Sequence, residues 1–213
     1  MIVSRLPVGP LETNCYIIKD ENTGLGVVID PGFHAAQIMD EIHKLGADVK
    51  YIIFTHGHYD HTFAAREIAA ETGAKIIMHA ADAALFEQGG GIARYVFPPK
   101  SDQMIREAYI RPDRLVFGAD GLDVGQMHFD FIASPGHTGG SMLILSDKAV
   151  FTGDTFMRGT IGRTDFPESQ PEKMGDTIEN VVKKLDAALT VYPGHGPVSD
   201  MARELRFNPF FQE

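Results

Sequence analysis

Thr55-His56-Gly57-His58-Tyr59-Asp60-His61 sets three imidazoles and one carboxylate within six positions, directly after the apolar run that begins at Tyr51. Histidine is the commonest side-chain metal ligand and carboxylate is its usual companion for hard or borderline divalent ions, so the stretch reads as part of a metal site. Tyr51 to Thr55 has the length and apolar character of a buried strand, while Thr62 to Thr72 shows helical periodicity before Gly73 and a further strand at Lys75 to Met78. Strand, ligand loop, helix, strand is an α/β arrangement in which two rigid elements hold the loop from both sides.

Upstream, Ile2 to Val8, Asn14 to Lys19 and Gly24 to Ile29 are Val-, Ile- and Tyr-bearing runs separated by Pro, Gly and Asn, which predicts an antiparallel meander ending at the turn Asp30-Pro31-Gly32. Ile38, Ile42 and Leu45 recur at helical spacing, so Ala35 to Leu45 is expected as an amphipathic helix closed by Gly46. Downstream, a helix over Ala80 to Gln88 leads into Gly89-Gly90-Gly91 and an irregular stretch to about Arg114. Strands are then expected at Leu122 to Ser134, Ser141 to Leu145, Ala149 to Thr152 and Leu189 to Tyr192, with a helix at Glu172 to Leu185. Strands followed by helices in both halves predict an α/β fold of two sheets packed face to face with helices outside.

Three later turns also carry potential ligands, each after an apolar strand: Ser134-Pro135-Gly136-His137-Thr138-Gly139, Thr152-Gly153-Asp154-Thr155 and Tyr192-Pro193-Gly194-His195-Gly196-Pro197. Small neighbours allow ligands to approach one another, and prolines stiffen the backbone that bears them.

The ordered set His56-x-His58-x-Asp60-His61, His137, Asp154, His195 resembles the metallo-β-lactamase fold superfamily, with all seven ligand positions filled. The resemblance spans essentially the whole chain. It implies a four-layered αββα sandwich with two mixed sheets and two divalent metal ions, zinc first, with iron or manganese as alternatives. It further implies that His56, His58 and His137 hold one ion, that Asp60, His61 and His195 hold the other, and that Asp154 bridges them. Within the superfamily the chain is most similar to glyoxalase II-related proteins of the short bacterial type, through Gly162-Arg163-x-Asp165-Phe166-Pro167, Pro193-Gly194-His195-Gly196-Pro197 and Asn208-Pro209-Phe210. Only residues 196–213 follow His195, too few for a further helical substrate domain, so one domain over 1–213 is expected. The tyrosine of full-length glyoxalase II shortly after the last histidine is replaced by Gly196-Pro197.

The activity implied is hydrolysis of a small thioester such as S-lactoylglutathione by a metal-bridging hydroxide, with Asp60 and Asp154 as catalytic carboxylates and Arg163, Arg94 and Tyr95 as substrate contacts. A persulfide dioxygenase with one iron on His56, His137 and Asp154 is the alternative, followed by a lactonase or phosphodiesterase. Thr152 and Thr155 are expected to orient the Asp154 carboxylate, and Thr138 and Ser141 to support the His137 loop. His34, His43, His79 and His128 lie in ordinary helix and strand patterns and read as structural.

With 19 basic and 29 acidic residues the net charge is -10, which disfavours nucleic acid and anionic membrane surfaces as partners and leaves a small molecule as the expected one. Oligomeric state is not legible. Cys15 is the sole cysteine, so no internal disulfide forms, and it reads as a small buried hydrophobe. No segment reaches the roughly 18 apolar residues of a membrane span, and a cytoplasmic location is expected.

Overall fold

A computed structural model describes residues 1–88 and 109–212. The triple glycine at Gly89 and the expected contacts Arg94 and Tyr95 lie outside the described residues. The amino-terminal half forms a six-stranded mixed sheet in the order β1 (Ile2–Val8), β2 (Thr13–Lys19), β3 (Leu25–Ile29), β4 (Asp48–Ile53), β5 (Lys75–His79), β6 (Arg114–Val116). The first three strands pair antiparallel, as their turn-separated pattern predicts, and β3 to β6 pair parallel. The second sheet runs β14 (Ser199–Asp200), β13 (Thr190–Pro193), β10 (Ala149–Gly153), β9 (Met142–Ser146), β8 (Met127–Ala133), β7 (Ala119–Val124). A two-stranded ribbon, β11 (Phe156–Met157) with β12 (Thr160–Ile161), stands beside it.

Period-two alternation sorts the strand residues into layers. Tyr16, Ile18, Val27, Ile29, Ile53 and Ile77 point between the sheets and meet Phe129, Phe131, Ile144 and Phe151. Their neighbours Cys15, Ile17, Val28, Ile52 and Ile76 point outward and are covered by α1 (Ala35–Leu45) and α3 (Ala65–Thr72) through Ile38, Ile42 and Ile68, with Phe86 of the short α4 (Ala83–Glu87) in the same cluster. On the far side, α5 (Pro171–Asn180) and α6 (Met201–Phe207) cover Leu143, Val150 and Val191 through Met174, Ile178 and Met201. The result is the αββα sandwich. Cys15 is buried, and burial pushes its thiol up, away from a reactive thiolate.

Several boundaries depart from the sequence-based expectation. Leu122 to Ser134 is part of a hairpin, because Gly125 takes φ 63° and pairs Val124 against Met127 across a two-residue turn. The helix expected over Glu172 to Leu185 stops at Asn180: β-branched Val181 is stretched to φ -119° and a single 3-10 turn, Val182–Lys184, follows. Tyr59 to Thr62 is a short helix, α2, so Asp60 and His61 sit on helical backbone instead of a loop. The short ribbon β11–β12, strand β14 and helix α6 carried no periodic signal long enough to be expected. No helix among the described residues is long and apolar enough to cross a membrane.

The turn after β2 is bonded to the β7–β8 turn, joining the two sheets. Asp20 is 3% exposed and accepts from Gln126 N–H and Thr23 Oγ1 at 2.7 Å each and from Asn22 N–H at 3.0 Å. These donors, Gln126 foremost, lower its pKa from 3.8 to about 2. A depressed carboxyl stabilises the fold above its unfolded pKa and loses that contribution as pH falls through the folded value. Asp20→Asn is therefore expected to unfold at lower urea than the parent at neutral pH, with the difference closing from about pH 4 toward pH 2. Urea midpoints across that range check it; a difference independent of pH counts against it.

Candidate metal centre

The three loops and the short helix that carry the seven expected ligands all follow the carboxyl ends of strands β4, β8, β10 and β13, and the structure brings all seven together. His56 Nε2 lies 3.1 Å from His58 Nδ1, which lies 3.0 Å from His137 Nε2. On the other side His61 Nε2 lies 3.3 Å from His195 Nε2, and Asp60 Oδ2 lies 3.5 and 3.4 Å from those two nitrogens. Asp154 stands between the groups: Oδ2 is 3.5 Å from both His137 and His195 Nε2, and Oδ1 is 3.6 Å from His61 Nε2. The sets His56–His58–His137, Asp60–His61–His195 and His56–His61–Asp154 each converge tightly enough to hold a cation.

The chemistry of the donors fits that reading. Each imidazole has a partner on its outward nitrogen, which leaves the inward nitrogen free of its proton in the neutral ring. Thr55 Oγ1 faces His56 Nδ1 at 3.1 Å, Glu168 faces His58 Nε2 at 3.0 Å and Asp30 faces His61 Nδ1 at 2.9 Å. The carbonyl of Arg163 accepts from His137 Nδ1 at 2.7 Å and that of Leu11 from His195 Nδ1 at 3.0 Å. Asp60 Oδ1 and Asp154 Oδ1 are buried with no hydrogen-bond partner, an arrangement that is costly unless a cation meets them.

Electrostatics divides the ligands. Burial lowers the His56 pKa well below the ordinary value, reinforced by His61, His58 and His137, so the ring is neutral and its lone pair available. Burial would raise Asp154, but His195, His61 and His137 outweigh it and hold the carboxyl well below its usual range. Burial likewise opposes the charge on His195, yet Asp154 and Asp60 prevail and lift it to about 11.

Besides Glu168, two carboxylates outside the expected ligand set hold this assembly, and neither stood out in the sequence. Asp30, at φ 52° immediately after β3, accepts from Thr55 N–H at 2.8 Å and Thr55 Oγ1 at 2.6 Å as well as from His61. Asp82 accepts from Gly57 N–H at 2.8 Å, Thr138 Oγ1 at 2.7 Å and Gly140 N–H at 2.7 Å, tying the His56–His58 segment to the His137 loop. Asp30 belongs to a segment legible only as a turn, and Asp82 to one legible only as a helix. Thr138 and Ser141 do support the His137 loop, 2.9 Å apart. Thr152 and Thr155 do not touch the Asp154 carboxylate: Thr152 Oγ1 donates to Phe156 O and Thr155 Oγ1 meets Ser134 Oγ, so they shape the turn's backbone. Close approach also demands glycine around the centre, at Gly162 and Gly194 among others. A Cβ on Gly162 would lie 1.8 Å from Asp154 O, and one on Gly194 would lie 2.2 Å from Asp154 Oδ1.

The centre floors a cleft of about 900 Å³ walled by Leu11, Met157, Thr160, Ile161, Phe166 and Pro167. Arg163 stands at its mouth, stacked 4.4 Å over Phe166 and paired through two 2.8 Å hydrogen bonds with Asp165. His128 is exposed between Asp123 and Asp130, His79 accepts from Ala81 N–H, and His43 lies in the last turn of α1. His34 precedes that helix at φ 59°. None of these four joins the centre.

The family model described as Metallo-beta-lactamase superfamily matches residues 8–195. The chain belongs to the metallo-beta-lactamase superfamily. Superfamily membership places its chemistry among metal-dependent hydrolases and implies divalent ions at the His/Asp cluster. It is 30% identical over 213 residues to the hydroxyacylglutathione hydrolase GloC of Haemophilus influenzae, covering 99% of this chain and 98% of the relative. Its fold matches the B3 metallo-beta-lactamase BLEG-1 at a TM-score of 0.89 with 24% identity, over the full length of both chains. It also matches TTHA1623, solved in a di-iron-bound form, at a TM-score of 0.80 with 27% identity, covering 98% of this chain and 100% of that one.

Removing Asp82 strands three donors at once, so Asp82→Ala is expected to lower unfolding free energy by about 3 kcal/mol in urea titrations. A loss below about 1 kcal/mol counts against its role in joining the loops. Glu168→Gln keeps the volume but weakens the orienting partner of His58, and is expected to reduce metal affinity about tenfold with little change in the metal-free unfolding midpoint. Competition with a chromogenic chelator reads the first quantity; unchanged affinity contradicts the assignment.

Proposed function

We propose that this chain is a dinuclear metal hydrolase of a small thioester, of which S-lactoylglutathione is one example. The observation that carries the reading is the convergence of two complete three-ligand sets, with Asp154 between them, on the floor of a cleft wide enough for a small molecule. His56, His58 and His137 would hold one ion, Asp60, His61 and His195 the other. Two bound divalent ions supply a water acidified into the neutral range and positive charge for the oxyanion of the attacked carbonyl.

The protein's own contributions follow from its geometry. The outward hydrogen bonds keep five rings in one tautomer and orientation, so no reorganisation is required during the reaction. Asp60 is fixed by Thr13 Oγ1 at 3.0 Å through Oδ2, which leaves Oδ1 to orient the attacking water and accept its proton. The apolar wall excludes bulk water from the acyl carbon. A thioester suits this set, because its thiolate departs without a dedicated acid, yielding a carboxylate and a thiol. The name of the Haemophilus influenzae relative, a hydroxyacylglutathione hydrolase, supports the same class.

The dioxygenase alternative needs only His56, His137 and Asp154, whereas the hydrolase reading also uses the Asp60–His61–His195 set; the residues alone do not separate the two. The deciding experiment loads the protein with zinc, iron or manganese and presents thioesters, a lactone, a phosphodiester and glutathione persulfide, with metal per chain and oxygen uptake recorded. About two metals and oxygen-independent thioester cleavage are expected. About one iron with oxygen consumption on the persulfide would overturn the proposal. Asp154→Ala is expected to lose bound metal and at least about 100-fold in activity while keeping its circular dichroism spectrum; retention of both metals and activity would remove Asp154 from the centre.

A further inference from the structure

A second buried polar cluster lies behind the cleft wall. Glu204 in α6 and Asn208 at its end are both completely inaccessible to solvent. Glu204 Oε1 accepts from Ser199 Oγ at 2.5 Å and from the Arg203 guanidinium at 2.6 Å. Its Oε2 accepts from Gly159 N–H at 2.7 Å and from Asn208 Nδ2 at 3.1 Å. Asn208 Nδ2 also reaches the carbonyls of Thr160 at 3.1 Å and Met157 at 3.4 Å.

A carboxylate and an amide are expensive to bury, and here three of their hydrogen bonds go to one target, the backbone of the β11–β12 hairpin at Met157, Gly159 and Thr160. That ribbon has only the pairs Phe156–Ile161 and Met157–Thr160. So short a ribbon has no stability of its own and takes its position from whatever holds it. At its base, Gly162 packs on Asp154 O and the Arg163 carbonyl bonds His137. Also at the base, Phe211 packs edge-on against Phe156 at 5.5 Å, and at the tip Gly159 is held by Glu204. The ribbon's Met157, Thr160 and Ile161 face the cleft.

We infer that Glu204 and Asn208 are positioning residues that set how far the Met157–Ile161 wall stands from the metal centre, and that the wall selects substrates by the length of an apolar acyl arm. The inference rests on the hydrolase reading for its choice of substrate. The selecting surface is apolar on both sides of the cleft, with Leu11, Phe166 and Pro167 opposite or beside the ribbon. Each methylene seated there leaves water, which favours binding about fourfold per group when fully buried.

The test uses the metal-loaded full chain and acyl thioesters of N-acetylcysteamine from acetyl to hexanoyl, with binding measured in parallel by displacement of an anilinonaphthalene fluorophore. In the parent, kcat/KM is expected to rise two- to fourfold per methylene, carried by KM. Asn208→Ala is expected to cut that rise to below about 1.5-fold while metal per chain and kcat on the acetyl thioester stay within about twofold. Glu204→Gln, which preserves volume, should move the same way, and serves if the alanine variant does not fold. Ile161→Ala should flatten the series alone and leave little for Asn208→Ala to remove, since both act on one wall. A flat series in the parent, or equal slopes in parent and both clamp variants, would overturn the inference. Absence of any thioester cleavage by the parent would overturn the hydrolase reading instead, and the chain-length slope of binding, compared between parent and variants, then decides the wall.

Discussion

His58 Nδ1 lies about 3 Å from both His56 Nε2 and His137 Nε2, a separation at which bare lone pairs repel unless a cation or a proton stands between them. The fold holds them there from outside. Thr55, Glu168 and the Arg163 carbonyl bond the outer faces of these rings, and Asp82 clamps together the two segments that bear them. The same logic covers the second set, where Asp30 and the Leu11 carbonyl bond His61 and His195. Thr55 and Asp30 are buried, the Arg163 and Leu11 acceptors are backbone carbonyls, and Glu168 is mostly covered, so the rings are oriented by the fold itself.

The sandwich makes this possible by aligning strand ends. Strands β4, β8, β10 and β13 end at the same edge of the two sheets, and the sheets are stitched there as well as through their shared core. Asn14 N–H donates to Gly194 O at 2.7 Å, Met142 N–H to Thr55 O at 2.9 Å and Tyr16 Oη to Pro193 O at 2.7 Å. Tyr16 also meets Phe151 and Tyr192 edge-on at 5.2 and 5.4 Å, so one residue of the inter-sheet core is continuous with the site. Stability of the core and geometry of the centre are therefore coupled at this edge.

The cleft wall is built differently from its floor. Floor residues are side chains locked one by one, whereas the wall is a ribbon whose backbone is gripped by Glu204 and Asn208. A gripped backbone moves as a unit. The His/Asp centre and the apolar wall thus rest on separate parts of the chain, the first on four strand ends and the second on the β11–β12 ribbon and helix α6.

The seven converging His and Asp residues are legible in the sequence because metal chemistry restricts residue type and leaves histidine and aspartate among glycines and prolines. The layers were legible because burial imposes a period of two on strands such as Asn14 to Lys19 and a period near 3.6 on Ala35 to Leu45, whose ends the structure matches closely. Asp30, Asp82 and Glu168 were not, since a carboxylate that orients a ligand from dozens of positions away looks like any polar residue in a turn or helix. Nor were the ribbon and its clamp, or the hairpin break at Gly125, where the local pattern is too short to carry a period. Residue chemistry and periodicity are local and survive in one dimension; which acceptor meets which ring is decided only when distant strand ends are brought to one edge, and that is a property of the packed sheets.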